Sequence, residues 1–197
     1  NGIIGPVLLG AAVATFFNGS NFVVSKGNIT QEAMPVISQW ANGWHGLDAL
    51  LDLWNVVLGL AVLFLSRCLG ILYFINNVSD AELLPRFRRR LMVEAVCFVV
   101  FFVPFVIYVL LKDGFAVDAA SGSIVIESYK YFHNLMAMPW VLGLFLLGVV
   151  AVLFGLGRSI LCATYNKGIW FAGVGTVLAV LALLLTVGYN NTAYYPS

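Results

Sequence analysis

Five stretches of this 197-residue chain are apolar almost without interruption, and that feature alone removes most folds from consideration. A helix needs about 20 mostly apolar residues to cross a hydrocarbon core about 30 Å thick. The runs Ile3–Phe17, Trp54–Ile75, Leu91–Leu111, Met136–Leu156 and Gly168–Val187 reach or approach that length. They are continuous instead of alternating, so each satisfies its backbone as a helix and not as a barrel strand. A soluble domain would have to hide them, and it could not. Hydrophobic residues make up 61% of the chain, charged ones 10%, and the mean hydropathy is +0.97. Soluble domains carry about 25% charged residues. The expected fold class is all-α, a polytopic transmembrane helix bundle forming a single domain over residues 1–197. The chain opens at Asn1 almost directly into an apolar run, with no charged leader before it. We read it as an internal fragment carrying about five spanning helices.

The polar connections orient the bundle. Arg86, Arg88, Arg89 and Arg90 fall in the connection 76–90, and Arg158 and Lys167 in 157–167. The remaining connections hold only Lys26, Lys112 and Lys130. Basic residues accumulate on the cytoplasmic side, so loops 76–90 and 157–167 are expected there. Between the first two spans, Ile37, Trp40, Trp44, Leu47, Leu51 and Trp54 fall three or four apart. That stripe predicts an interfacial helix over Pro35–Asp52, weakened by Gly43 and Gly46, with an irregular loop as the alternative. Residues 115–118 and 123–127 form either a small hairpin or a solvated loop. A net charge of +1 without a polybasic tract gives nucleic acid nothing to bind.

Chemistry is sought first among charges inside the spans, where they are expensive. Arg67 stands near the middle of the second run, a position that costs about 2.5–3.5 kcal/mol on insertion scales. Its nearest available partner is Glu94, and with the third span starting at Leu91 the two depths differ by about 8 Å. Arg67 and Glu94 are therefore the candidate intramembrane polar pair. A structural pair, or a contact to another helix, a partner subunit or a lipid headgroup, competes with a role in a proton path or beside a cofactor. The two histidines, His45 and His133, fall in or at the edge of outward connections, where they do not make a haem ligand pair across a bundle. Cys68, Cys97 and Cys162 have no metal-ligand spacing. Walker, dinucleotide and zinc-protease motifs are absent. Gly148, Ala151 and Gly155 in one span, and Gly175, Ala179 and Ala182 in another, make small faces suited to close helix packing.

Several stretches, in order, resemble one family. They are TFFNGSNFVV at Thr15–Val24, WHGLDAL at Trp44–Leu50, NVVLGLAVLFLSRCLGILYFINN at Asn55–Asn77, YKYFHNL at Tyr129–Leu135, and the closing Lys167–Ser197. Together they resemble subunit II of the bd-type quinol oxidases. The resemblance implies about five of eight spanning helices, the third to the seventh, in a subunit of the bacterial inner membrane. It implies a heterodimer with a haem-bearing subunit I that holds haem b and haem d, oxidises quinol and reduces dioxygen to water. No cofactor is then expected on this fragment, and no catalytic residue is carried over. Membrane lipid is an expected partner, and quinone is left open as another. A permease or transporter fragment, or a membrane anchor without a redox partner, are the alternatives that hydropathy alone allows.

Overall fold

A computed structural model describes residues 2–26, 36–118 and 121–193. Among the described residues, six α-helices occur in the order α1 (Ile4–Asn18), α2 (Leu53–Asn77), α3 (Leu83–Leu111), α4 (Lys130–Ala137), α5 (Pro139–Leu161) and α6 (Gly168–Val187). The helices α2, α3, α5 and α6 are long and apolar enough to cross a membrane, while α1 is a shorter apolar helix. The protein is a polytopic helical membrane protein. Among the described residues, five short strands add to the all-α expectation without altering the class: β1 (Phe22–Lys26), β2 (Val36–Trp40), β3 (Gly114–Val117), β4 (Ile124–Glu127) and β5 (Thr192–Ala193).

The span boundaries differ from the sequence reading at three places. Helix α5 runs on to Leu161, five residues past the expected Leu156, so Arg158 lies on the helix and the connection 157–167 shrinks to 162–167. The other two differences have local reasons. First, α3 starts at Leu83, eight residues before the apolar run begins at Leu91. Asp80 accepts from the backbone N–H groups of Glu82 and Leu83 and so holds the entry to α3. The connection 76–90 shrinks to residues 78–82, and Arg86, Arg88, Arg89 and Arg90 lie on the helix itself. Second, the chain breaks between α4 and α5 at Met138, just ahead of Pro139. Proline disfavours helical backbone in the residue before it, and Met138 has φ −121 and ψ 73. Pro139 then occupies the first turn of α5, where its missing N–H leaves no hydrogen bond unmade.

The interfacial helix expected over Pro35–Asp52 is corrected. Pro35 lies outside the described residues, and the chain from Val36 to Trp40 is strand β2, antiparallel to β1. A turn and a short 3-10 segment, Leu47–Leu51, follow. His45 at φ 49 and Gly46 at φ 90 are consecutive left-handed residues, which no α-helix accommodates. Strands β3 and β4 pair antiparallel, with Phe115 opposite Ile126 and Val117 opposite Ile124. Strand β5 joins the other edge of β3, pairing Phe115 with Ala193.

Packing arranges the helices as consecutive pairs. In α1 and α2 the backbones meet at Gly10 and Gly59, where a Cβ on Gly10 would lie 2.7 Å from Gly59 Cα. In α5 and α6 they meet at Gly148, Gly155 and Gly175, and a Cβ on Gly148 would lie 2.6 Å from Ala179 N. Small residues let helices approach where lipid supplies no hydrophobic force to press them together. The core runs through the bundle along Ala14, Phe17, Leu72, Leu91, Phe105, Val152 and Ala172.

Candidate functional site

Polar side chains gather at the two ends of this bundle, and the end carrying the arginines is the more charged. Arg88, on the second turn of α3, is only 8% exposed. Its guanidinium reaches across to the α5–α6 connection and collects its carbonyls. Nη1 donates to Ser159 O, to Cys162 O at 3.0 Å and to Tyr165 O at 3.2 Å. Nη2 donates to Ala163 O at 2.8 Å, Tyr165 O at 3.2 Å and Asn166 Oδ1 at 2.8 Å. The last carbonyls of a helix lack intrahelical donors and carry the negative end of its dipole, so a fixed cation there is favoured. This contact puts the α2–α3 and α5–α6 connections on one face of the bundle. Beside it, the Thr164 hydroxyl against Cys162 Sγ holds that thiol below its ordinary value.

Deeper on the same side, the structure brings Arg67 and Glu94 together. Arg67 Nη2 lies 2.8 Å from Glu94 Oε1, and Arg90 Nε reaches the same oxygen at 2.6 Å. The 8 Å mismatch expected from sequence disappears because α3 begins earlier. Arg67 is ten residues before the end of α2 and Glu94 eleven after the start of α3, so the antiparallel pair sets them level. Glu94 is 1% exposed, and its Oε2 has no hydrogen-bond partner among the described residues. A carboxylate buried this fully needs paired cations, and two share one of its oxygens.

The opposite end is held by amides and phenols. Asp52 caps α2 by accepting from the N–H groups of Trp54 and Asn55. Asn18, at the end of α1, donates to Asn55 Oδ1 at 2.7 Å and accepts from the Tyr108 hydroxyl at 3.0 Å. Tyr108 stacks on Trp54 with ring centroids 4.1 Å apart. Across this end lies α4, whose Tyr131 donates to Phe17 O, while its Asn134 donates to Thr186 O and Thr192 Oγ1. Burial pushes the Tyr131 phenol up to about 12. Lys130, 3% exposed, bonds Glu127 Oε2 at 2.8 Å and Asn190 O at 2.9 Å. Both Lys130 and then His133 hold the Glu127 carboxyl below the usual range.

Between α3, α5 and α6 lies a cleft of about 230 Å³, lined by Phe102, Val106, Phe145, Val149, Ala179 and Leu183 among others. Thr176 contributes the hydroxyl nearest to it, already committed to Ala172 O at 2.7 Å. The cleft suits a hydrocarbon chain and offers no acid, base or ligand. A haem is not fitted by the histidines present. His45 sits in a turn outside the spans, and His133 on α4 directs Nδ1 to Glu127 Oε1 at 3.1 Å. Among the described residues, no three of His, Cys, Asp and Glu come together as a metal-binding group.

Arg88, Asn18, Asn55 and Asn134 were not picked out from sequence. Asn55 had a signal, a polar amide entering an apolar run. Arg88 had none, because its partners are backbone carbonyls. Among curated proteins, a search finds no match to the chain. Over residues 1–197, its whole length, the sequence matches the family model for cytochrome bd terminal oxidase subunit II, and the chain belongs to that family, a membrane subunit of a terminal oxidase complex.

Proposed function

We propose that this chain is the non-haem scaffold of a quinol:oxygen oxidoreductase in the bacterial inner membrane. It holds a haem-bearing subunit I, and the pair oxidises quinol and reduces dioxygen to water while separating charge across the membrane. The observation that carries the reading is the family match over residues 1–197. The use made of the buried polar groups supports the scaffold role. Arg88 ties α3 to the α5–α6 connection, and Asn134 ties α4 to the end of α6. Haem b and haem d then fall to subunit I, whose ligands this chain's two histidines are not placed to supply. The cleft beside Phe102 and Phe145 is lined by apolar side chains. The end of the bundle that carries Arg86, Arg88, Arg89, Arg90 and Arg158 faces the cytoplasm by the distribution of basic residues.

The test is a reduced-minus-oxidised visible spectrum of the complex purified from native membranes through a tag on the full-length chain. Haem b and haem d bands with a co-purifying haem-bearing partner are expected. An intact, monodisperse, haem-free preparation would sink the reading. Orientation is checked separately with a membrane-impermeant maleimide. Cys162, beside the arginine end, should react only from the cytoplasmic side, while Cys68, 0% exposed, stays silent.

A further inference from the structure

We infer that the outer face of the α2–α3 hairpin binds the phosphate of an anionic phospholipid, held by Arg67 and Arg90 above Glu94. The charge count comes first. Two guanidinium groups converge on one carboxylate, leaving one net positive charge at the hairpin surface. Arginine does not shed its proton, so the charge has to be matched or hydrated.

The geometry leaves several guanidinium donors uncommitted. Both guanidinium groups approach a single oxygen, Glu94 Oε1, instead of forming two-pronged pairs. Each arginine commits one of its five N–H donors to Glu94; Arg67 Nε is buried without a partner, and the remaining guanidinium donors meet no acceptor among the described residues. The arrangement is also layered. Glu94 is 1% exposed, while the Arg67 and Arg90 side chains are 39% and 58% exposed. The carboxylate lies beneath and the cations face outward.

Depth and surroundings select the ligand. Arg90 immediately precedes the apolar run that begins at Leu91, which puts it at the edge of the hydrocarbon layer. Glu94 is one turn further in, about 6 Å along the axis, and Arg67 is level with it and long enough to reach back. That is where lipid phosphates sit. On the same faces, Phe74, Val93 and Val100 are exposed and offer apolar contact to acyl chains. Gly70, one turn from Arg67, has open space where a Cβ would lie. Arg86 and Arg89, exposed on the first turns of α3, extend the positive field toward the headgroups. An acidic segment of a partner protein could match the charge, but it would gain nothing from the apolar flanks below.

The experiment uses the intact oxidase complex carrying the full-length chain, delipidated in detergent and titrated with phosphatidylglycerol or phosphatidylcholine. Bound lipid is counted by native mass spectrometry. Retention of phosphatidylglycerol over phosphatidylcholine is expected. Arg90→Gln should weaken it about fivefold, the effect of one basic residue near an anionic lipid, and Arg67→Gln/Arg90→Gln should abolish the preference. Glu94→Gln should strengthen it, since the cations lose their internal counter-charge, whereas a purely structural ion pair would lose lipid along with stability. Competition by inorganic phosphate would identify the phosphate as the recognised group; binding of inorganic phosphate without phosphatidylglycerol would overturn the lipid assignment. So would unchanged phosphatidylglycerol binding in the double variant, including the case where that variant sheds the haem-bearing subunit, which would give this face to the partner. If Arg67→Gln does not assemble, Arg90→Gln, at an exposed side chain, carries the test alone.

Discussion

Between α5 and α6 the contact is made by backbone, whereas between α2 and α3 it is made by side chains. A Cβ on Gly175 would lie 2.6 Å from Gly148 O, and one on Gly155 the same distance from Gly168 O. The α2–α3 pair has no such approach. Phe64 stacks on Phe101 at 5.7 Å, Phe74 on Phe87 at 5.7 Å, and the Arg67–Glu94 bridge lies between these two stacks. In lipid, apolar surface gains little by leaving its surroundings, so helices associate through close packing and polar bonds. One hairpin relies on the first and the other adds the second. A glycine seam has no slack, because its neighbours are main-chain atoms that cannot rotate away. An aromatic seam can repack.

The largest expected effect breaks the glycine seam. Gly175→Leu must push α5 and α6 apart, a cost above the roughly 1–3 kcal/mol typical of overpacking. Loss of monodisperse complex on size exclusion is expected. Gly143→Leu, on the same α5 but facing open space, should leave the yield unchanged. Equal tolerance at both positions would refute the comparison.

Next comes the contact between the two hairpins. Arg88→Met should lower stability by about 2–4 kcal/mol, the range for losing charged hydrogen bonds and stranding their acceptors. A lowered melting temperature measures it, and Arg88→Lys should recover only part, since an ammonium lacks the planar fork. Within the aromatic seam, Phe101→Leu should cost only about 1 kcal/mol, because the ring pair adds little beyond its area. A loss as large as that of Gly175→Leu would show that the aromatic seam is as unforgiving as the glycine one.

The smallest effect lies outside both hairpins, at Glu127. Its carboxyl is held below the ordinary 4.5 first by the Lys130 hydrogen bond and then by His133. A depressed folded value means this stabilisation is fully present above the unfolded value and is lost as pH falls through the folded one. Glu127→Gln should therefore melt below the parent protein at neutral pH and converge with it as pH falls below about 4.5, and coincidence throughout would remove the Lys130 contact from the account.

How much of this was legible in the sequence depends on which property carried the signal. Spans are written in hydropathy, and the small faces at Gly148, Gly155 and Gly175 in residue volume, so both were readable. The start of α3 was not, because hydropathy registers where lipid ends and not where the helix ends. Arg86–Arg90 were read as loop for that reason, and the false depth gap between Arg67 and Glu94 followed from it. The stripe from Ile37 to Trp54 failed differently. Its period was real, but two left-handed residues, His45 and Gly46, interrupt the backbone beneath it. Arg88 was illegible in principle. Every residue offers a carbonyl, so nothing in the α5–α6 connection advertises that it will receive a cation.

The longest described helix, α3, carries anchors on opposite sides of its axis. Arg88 is clamped toward α5–α6, and Arg90, about 200° further round, is tied to Glu94 and through it to α2. Twisting the helix would have to break one tether or the other. At its far end, Tyr108 reaches Asn18 of α1, and between the two anchored ends stands Pro104, where a backbone N–H is missing. The result resembles a keyed shaft with a flexible joint. A displacement felt near Tyr108 arrives at the arginine end as tilt or bending about Pro104, with torsion suppressed. If binding events at the two membrane faces are linked through this subunit, α3 is the member that transmits them, and it does so by leaning.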